Sequence, residues 1–175
     1  MMAPMQNIIG QWLFSLKHYL LMCLLLSSPA RLPYNPYPLL LTGLSYFLIG
    51  LALVDEQHGY AVICGQILLE MAMLAAISYF VLRAKNILPR LLQTFSALIG
   101  VNVITTTVSL PLYNLGIGSD GAGSYSLLIY LVQIWNLAVL SLIFKRAFEI
   151  STQLSAMISF SYFFAYLFTA YWLFF

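Results

Sequence analysis

Residues 60 to 82 read YAVICGQILLEMAMLAAISYFVL, and Arg83, Lys85 and Arg90 follow closely. About 20 mostly apolar residues are needed to carry a helix across the hydrocarbon of a bilayer. A helix on the surface of a soluble domain carries a polar stripe on its outer face. This run has none, since Gln66 and Glu70 are its only amide and carboxylate and lie one helical turn apart. It reads as a transmembrane helix, and the same test applied outward organises the rest of the chain.

Before it stands the polar turn Asp55-Glu56-Gln57-His58-Gly59, and before that an apolar run from about Pro38 to Val54. After it, Pro89 opens a third run, tolerated in a first helical turn where its missing N–H would be unbonded anyway. That run is expected to end near Pro111. The stretch Asn114 to Ser124 reads as a Gly-rich loop, a fourth helix spans about Tyr125 to Phe144 and meets Lys145 and Arg146, and a fifth runs from about Ser151 onward. The expected fold is an all-α polytopic membrane bundle of about five transmembrane helices. It forms a single membrane domain over 1–175, with 1–37 an interfacial helix and Pro-rich hinge and 38–175 the bundle.

Composition agrees. Hydrophobic residues make up 62% of the chain and charged residues 7%, against roughly 25% charged in a soluble domain. So little charge cannot cover a water-facing surface. A net charge of +2 builds no continuous basic face for phosphate backbones, so nucleic acid is not expected as a partner. Cys23 and Cys64 lie inside apolar runs and read as small core residues rather than a disulfide framework or a metal site. Lys17 and His18 interrupt the first apolar run, so no signal peptide is expected and the start is read as retained.

Those two residues also decide the segment Asn7 to Leu26. A cation at its midpoint would cost a few kcal/mol at the bilayer centre. An interfacial or re-entrant helix is therefore predicted, with Trp12, Phe14, Leu16, Tyr19 and Leu20 toward the acyl chains and Gln11, Lys17 and His18 toward the headgroups. The hinge from Ser28 to Pro38 ends it, because closely spaced prolines cannot continue a helix. All seven Lys and Arg then fall on one side of the bundle: Lys17, Arg31, Arg83, Lys85, Arg90, Lys145 and Arg146. The positive-inside rule places that side and the N-terminus in the cytoplasm of a cell inner (plasma) membrane, with the C-terminus periplasmic or extracellular. The ending Tyr171-Trp172-Leu173-Phe174-Phe175 supplies an aromatic anchor at the far interface.

The Pro-containing approach to the first of five helices, a third helix opened by Leu88-Pro89-Arg90-Leu91-Leu92-Gln93-Thr94 and closed by Ser109-Leu110-Pro111, and a Trp135-bearing fourth helix leading into Lys145-Arg146-Ala147-Phe148-Glu149 together resemble the Yip1 family of membrane proteins. The likeness spans roughly Leu25 to the C-terminus. Eukaryotic members act in vesicle trafficking and bind small GTPases through a cytosolic N-terminal region, and bacterial relatives are mostly uncharacterised inner-membrane proteins. A long hydrophilic N-terminal region is not seen here and the loops are short, so the resemblance implies the bacterial branch, and location more than activity.

Glu70 is the most informative residue, because a carboxylate near mid-span must be paired, hydrated or neutral. It reads either as a proton-carrying or cation-binding group, or as a neutral acid that ties helices together or pairs with a partner's basic group. Gln66, one turn away, is placed to hydrogen-bond it. Asn102, Thr105, Thr106 and Ser109 form a polar stripe on the third helix, and Gln133 with Asn136 another on the fourth. These bond across helices or, with Glu70, line one internal polar cavity. Ser151, Ser155 and Ser159 recur every fourth residue on the fifth helix, as do Ser161, Ala165 and Thr169 on another side, and such spacing lets backbones approach closely. One face is expected to pack internally and the other to meet a partner.

Asp55, Glu56 and His58 crowd one turn but lack a fourth ligand, so they read as solvated rather than metal-binding. The glycines at 116, 118, 121 and 123 follow no strand and precede no Lys, so they are no phosphate cradle. With no nucleophile elbow and no paired catalytic carboxylates, neither enzyme chemistry nor a cofactor is expected. Two readings remain. One is a non-catalytic accessory or assembly subunit, embedded in the lipid bilayer and bound laterally to a larger membrane complex or to copies of itself. The other is a small oligomeric transporter or channel using Glu70 and its polar neighbours.

Overall fold

The computed structural model describes residues 3–52, 59–116 and 122–174. Among them the regular structure is entirely helical: α1 (Ala3–Cys23), α2 (Pro36–Leu51), α3 (Tyr60–Ala84), α4 (Leu91–Gly116), α5 (Ala122–Phe148) and α6 (Thr152–Phe174), with short 3-10 turns at Pro29–Arg31 and Leu88–Arg90. Helices α3 to α6 are each long and apolar enough to cross a membrane, and α2, at 16 residues, is a shorter apolar helix. The chain is a polytopic membrane helical bundle. Val54, the expected end of the first crossing, lies outside the described residues, as do Asp55, Glu56 and His58.

Local chemistry sets the ends. Asn35 caps α2, its side-chain oxygen accepting from the Tyr37 N–H at 3.1 Å, and Pro36 fits the first turn, where no intrahelical donor is required. Three helices stop where a non-glycine residue turns left-handed: Leu25 after α1, Asn86 after α3 and Glu149 after α5. In each the following N–H returns to a carbonyl of the last turn: Leu26 to Leu21, Ile87 to Leu82 and Ile150 to Lys145.

Two expected boundaries move. Helix α4 does not end at Pro111 but runs through it to Gly116, and α5 begins at Ala122 rather than Tyr125, so the predicted Asn114–Ser124 loop is helical over 114–116 and 122–124, with 117–121 outside the described residues. Pro111 frees one carbonyl a turn earlier. Membrane helices tolerate this where neighbouring helices and Ser or Thr side chains re-satisfy the freed groups.

The helices from α2 onward alternate in direction. The end of α3, the start of α4 and the α5–α6 junction meet around Glu149, whose carboxylate pairs with Arg90 at 2.5 Å and whose carbonyl accepts from Lys85 Nζ at 3.1 Å. Arg146 donates to the carbonyls of Ser27 and Leu25, and Gln93 donates to Leu32 at 2.8 Å. The chain leading into α2 is thereby fixed to the same, basic end.

Helix α4 is the centre. Half of its span is buried, against 17% to 22% in the other three spanning helices, and α1, α2, α3 and α5 all pack on it. Helix α6 packs on α5 and α3. Helix α1 is tied near the basic end through Gln11, which accepts from Asn35 at the start of α2, and the chain just after α1 returns there, the Leu25 carbonyl meeting Arg146 near the end of α5. It lies across α2, α4 and α5 and dips toward the middle, where Trp135 donates to the Cys23 carbonyl at 2.9 Å.

That packing corrects the expected facing of α1. Tyr19 does not meet acyl chains. It is 1% exposed, wedged against Gly100, with its hydroxyl 2.6 Å from Ser96 Oγ and 3.4 Å from Thr42 Oγ1. His18 is also buried, its Nδ1 bonded to the Phe14 carbonyl, while Leu13, Phe14, Lys17 and Leu20 face outward. A glycine at 100 opens a slot in α4 that an amphipathicity argument on α1 alone does not detect. Cys23 is buried, Cys64 half-buried, and both are free thiols.

Candidate functional site

Glu70 lies ten residues into α3, about 15 Å along the axis from Tyr60 and about 21 Å from Ala84. Its side chain turns into the bundle. The Tyr46 hydroxyl of α2 donates to Oε2, while Asn102 Nδ2 of α4 at 2.9 Å and the Tyr162 hydroxyl of α6 at 3.5 Å donate to Oε1. Asn136 of α5 then donates to Asn102 Oδ1 at 3.4 Å. One carboxylate therefore ties together all five helices from α2 to α6.

These bonds determine what the surrounding groups present. Because Asn102 turns its amide nitrogen to Glu70, its oxygen faces Asn136. Asn136 must answer with nitrogen, which leaves its own Oδ1 buried without a hydrogen bond. Thr105 and Ser109 donate to backbone carbonyls of their own helix, Val101 or Asn102 and Thr105 respectively. Their oxygens remain as acceptors. A hydroxyl in lipid commonly bonds in this way to the preceding turn.

Three cavities meet at Glu70. The first, of about 230 Å³, is lined by Tyr46, Asn102, Thr105, Thr106, Ser109 and, on α5, Ile129, Gln133 and Asn136. A second, of about 140 Å³, lies toward Tyr162 and Tyr166, and a third, of about 180 Å³, toward Gln66, Gly50 and Ile63. From Glu70 the largest runs along α4 toward Ser109 and along α5 toward Ile129, away from the basic end. On the basic side the path is filled by Leu74, Leu98, Val139, Ile143, Phe144, Tyr19 and Met22, all 2% exposed or less. Among the described residues no Lys or Arg lines any of the three cavities.

The six intramembrane residues singled out from the sequence, Glu70, Gln66, Asn102, Thr106, Gln133 and Asn136, all line cavity walls that adjoin Glu70. Gln66 lines the third cavity and is not among the donors to Glu70, which are Tyr46, Asn102 and Tyr162. Tyr46, Tyr162 and Tyr166 are the residues the sequence reading passes over. Their signal was position: tyrosines collect at the headgroup level, whereas Tyr46 and Tyr162 lie ten residues inside α2 and α6.

On α6, Ser155 and Ser159 are fully buried, and Ser155 Oγ lies 3.1 Å from Ser141 Oγ of α5. Ser151 does not share that contact. It precedes the helix, is exposed, and caps it by accepting from the Leu154 N–H at 3.3 Å. Ser161 and Ala165 are exposed on the opposite side, along an apolar groove of about 520 Å³ between α3 and α6. Comparison with protein-family models, curated proteins and solved structures finds no match to the chain.

Proposed function

We propose that the protein is a small transporter or channel of the cell inner (plasma) membrane, in which Glu70 binds a proton or small cation entering from the side opposite the basic loops. The observation that carries this is a carboxylate without a basic partner, placed at mid-bundle where three cavities meet. An intramembrane acid marks an ion or proton path by default, and the polar walls supply what the sequence alone left scattered over three helices. The N-terminus and the basic loops are cytoplasmic in this reading, from the positive-inside rule. The Yip1 resemblance adds an expectation of location only. The test is reconstitution into liposomes and recording of currents after jumps in proton, sodium, potassium or ammonium concentration. Currents that vanish in Glu70→Gln are expected, and a wild-type protein silent to every one of these jumps refutes the transport reading.

A second reading, an accessory subunit that associates laterally, is supported by the groove between α3 and α6, where Ser161 and Ala165 leave room between Phe80, Leu154 and Met157. Copies carrying Ser161→Cys should cross-link, or a membrane partner should co-purify in mild detergent. A wild-type protein that stays a lone monomer in detergent and in lipid argues against it.

A further inference from the structure

We propose that the cavity at Glu70 selects a small organic ammonium cation bearing N–H donors and no anionic group. The inference rests on the cation-binding reading of that site and specifies its ligand.

Around Glu70 the wall is rich in acceptors, and Gln133 and Thr106 add groups that can accept or donate. Tyr46 and Tyr162 spend their hydrogens on Glu70, Asn102 spends one of its two amide hydrogens there, and Thr105 and Ser109 spend theirs on their own backbone. Facing the space are therefore phenolic and hydroxyl oxygens and the carboxylate itself, with the Gln133 amide and the Thr106 hydroxyl beside them, while the unbonded Oδ1 of Asn136 is buried in the wall. A carboxylate offers about four lone-pair positions. Oε1 uses two and Oε2 one, so Oε2 keeps one free toward an incoming donor. A guest that binds this carboxylate must bring hydrogens.

It must also bring positive charge and nothing negative. Among the described wall residues Glu70 is the only ionisable acid or base apart from tyrosines, so a guest anion would find no cation. Zwitterions and phosphates are thereby disfavoured. Size separates an organic cation from a bare one, since about 230 Å³ is several times the roughly 30 Å³ share of one water molecule. A single metal ion leaves most of that space unfilled, whereas an alkylammonium places its head at Glu70 and its carbon against the adjoining wall, which includes the Tyr46 ring. Aromatic faces attract such cations.

The experiment titrates the purified full chain in lipid nanodiscs with methylammonium, following thermal stability and heat of binding, with tetramethylammonium, sodium and potassium as comparison probes. Saturable methylammonium binding is expected. Glu70→Gln should weaken it by about tenfold or more, as for loss of a hydrogen bond to a charged group. Asn136→Leu, which leaves the carboxylate and its three donors in place, should weaken it several-fold, and it decides the matter if Glu70→Gln fails to fold. Tetramethylammonium has no N–H and should bind at least tenfold more weakly. Equal binding of tetramethylammonium, tighter binding of sodium or potassium, or no methylammonium binding at millimolar concentration each overturns the proposal. Proton or sodium currents in the liposome assay, with no methylammonium binding here, would overturn this inference while leaving the transport reading standing.

Discussion

Changing Gly100 to Ala tests how α1 is seated in the bundle. A Cβ built on Gly100 meets Cγ, Cδ1 and Cδ2 of Tyr19 at 2.5 Å, whereas non-bonded carbons rest about 3.5–4.0 Å apart. The ring must withdraw by about 1 Å or more. It has nowhere easy to go, because its hydroxyl is held 2.6 Å from Ser96 on α4 itself and Tyr19 is 1% exposed. Overpacking of this kind costs about 1–3 kcal/mol, and loss of the hydroxyl contact adds about 1 kcal/mol. Alanine returns roughly 1 kcal/mol through helix propensity. The net expectation is a loss of about 1–3 kcal/mol, concentrated where α1 crosses α4.

Two measurements check it. The apparent unfolding midpoint in detergent should fall by several degrees. With Cys64 replaced by Ser, the thiol of Cys23, now 3% exposed, should react faster as α1 lifts. Gly43→Ala is the control, since its added carbon makes only an ordinary 3.6 Å contact with Met71. Pairing Gly100→Ala with Tyr19→Leu removes the clash, so the double variant should lose less than the two single losses summed. If Gly100→Ala leaves both midpoint and Cys23 reactivity unchanged, Tyr19 does not fill that slot and the placement of α1 is wrong.

With Cys23 and Cys64 replaced, a cysteine at Asn86, exposed among the basic loops, should resist an impermeant thiol reagent in intact cells; strong labelling reverses the orientation. Ser155→Leu forces a branched side chain into a fully buried position 3.1 Å from Ser141, so detergent stability should fall by about 1–3 kcal/mol while membrane insertion survives. Phe164→Leu, on an exposed face, should be neutral, and equal behaviour of the two variants would count against the α5–α6 contact. Tyr46→Phe removes one donor from Glu70 and should lower stability by about 1–2 kcal/mol, whereas an unchanged midpoint would mean that the bond carries nothing. Glu149→Gly relieves a left-handed backbone at φ 52° but breaks a pair with side chains 42% and 60% exposed. Such pairs contribute at most about 1 kcal/mol, so the midpoint should barely move.

The sequence announces the helices because lipid leaves few alternatives: a chain with this little charge must bury its backbone bonds within apolar spans. Glu70, Asn102 and Asn136 were legible for the same reason, since each is an expensive residue to place at mid-span. Tyr46 and Tyr162 were not, because an aromatic ring satisfies hydropathy wherever it sits, and only its hydroxyl partner reveals its role. The seating of Tyr19 was hidden more deeply. It depends on a missing side chain at position 100, far along the chain, and no periodicity within α1 records it. Pro111 misled in the opposite sense, since a rule that ends helices in water is relaxed among packed membrane helices.

Access to Glu70 is one-sided in this structure, and that bears on the proposed function. Acceptors run from the carboxylate toward Ser109 and Ile129, while on the basic side Leu98, Val139, Ile143 and Phe144 close the bundle, with Tyr19 and Met22 of α1 inserted among them. In the transport reading a cation crossing the bundle needs these side chains to part, those of α1 included, and α1 is attached where its withdrawal would be felt. Trp135 holds the Cys23 carbonyl, and the next residue, Asn136, lines the cavity and donates to Asn102. Movement of α1 and occupancy at Glu70 thus act on adjacent residues of α5. In the transport reading, Trp135→Phe, which removes only the indole donor, should alter the rate of Glu70-dependent currents more than the affinity for the cation. An affinity change with unaltered rate would instead make α1 a fixed floor to the site.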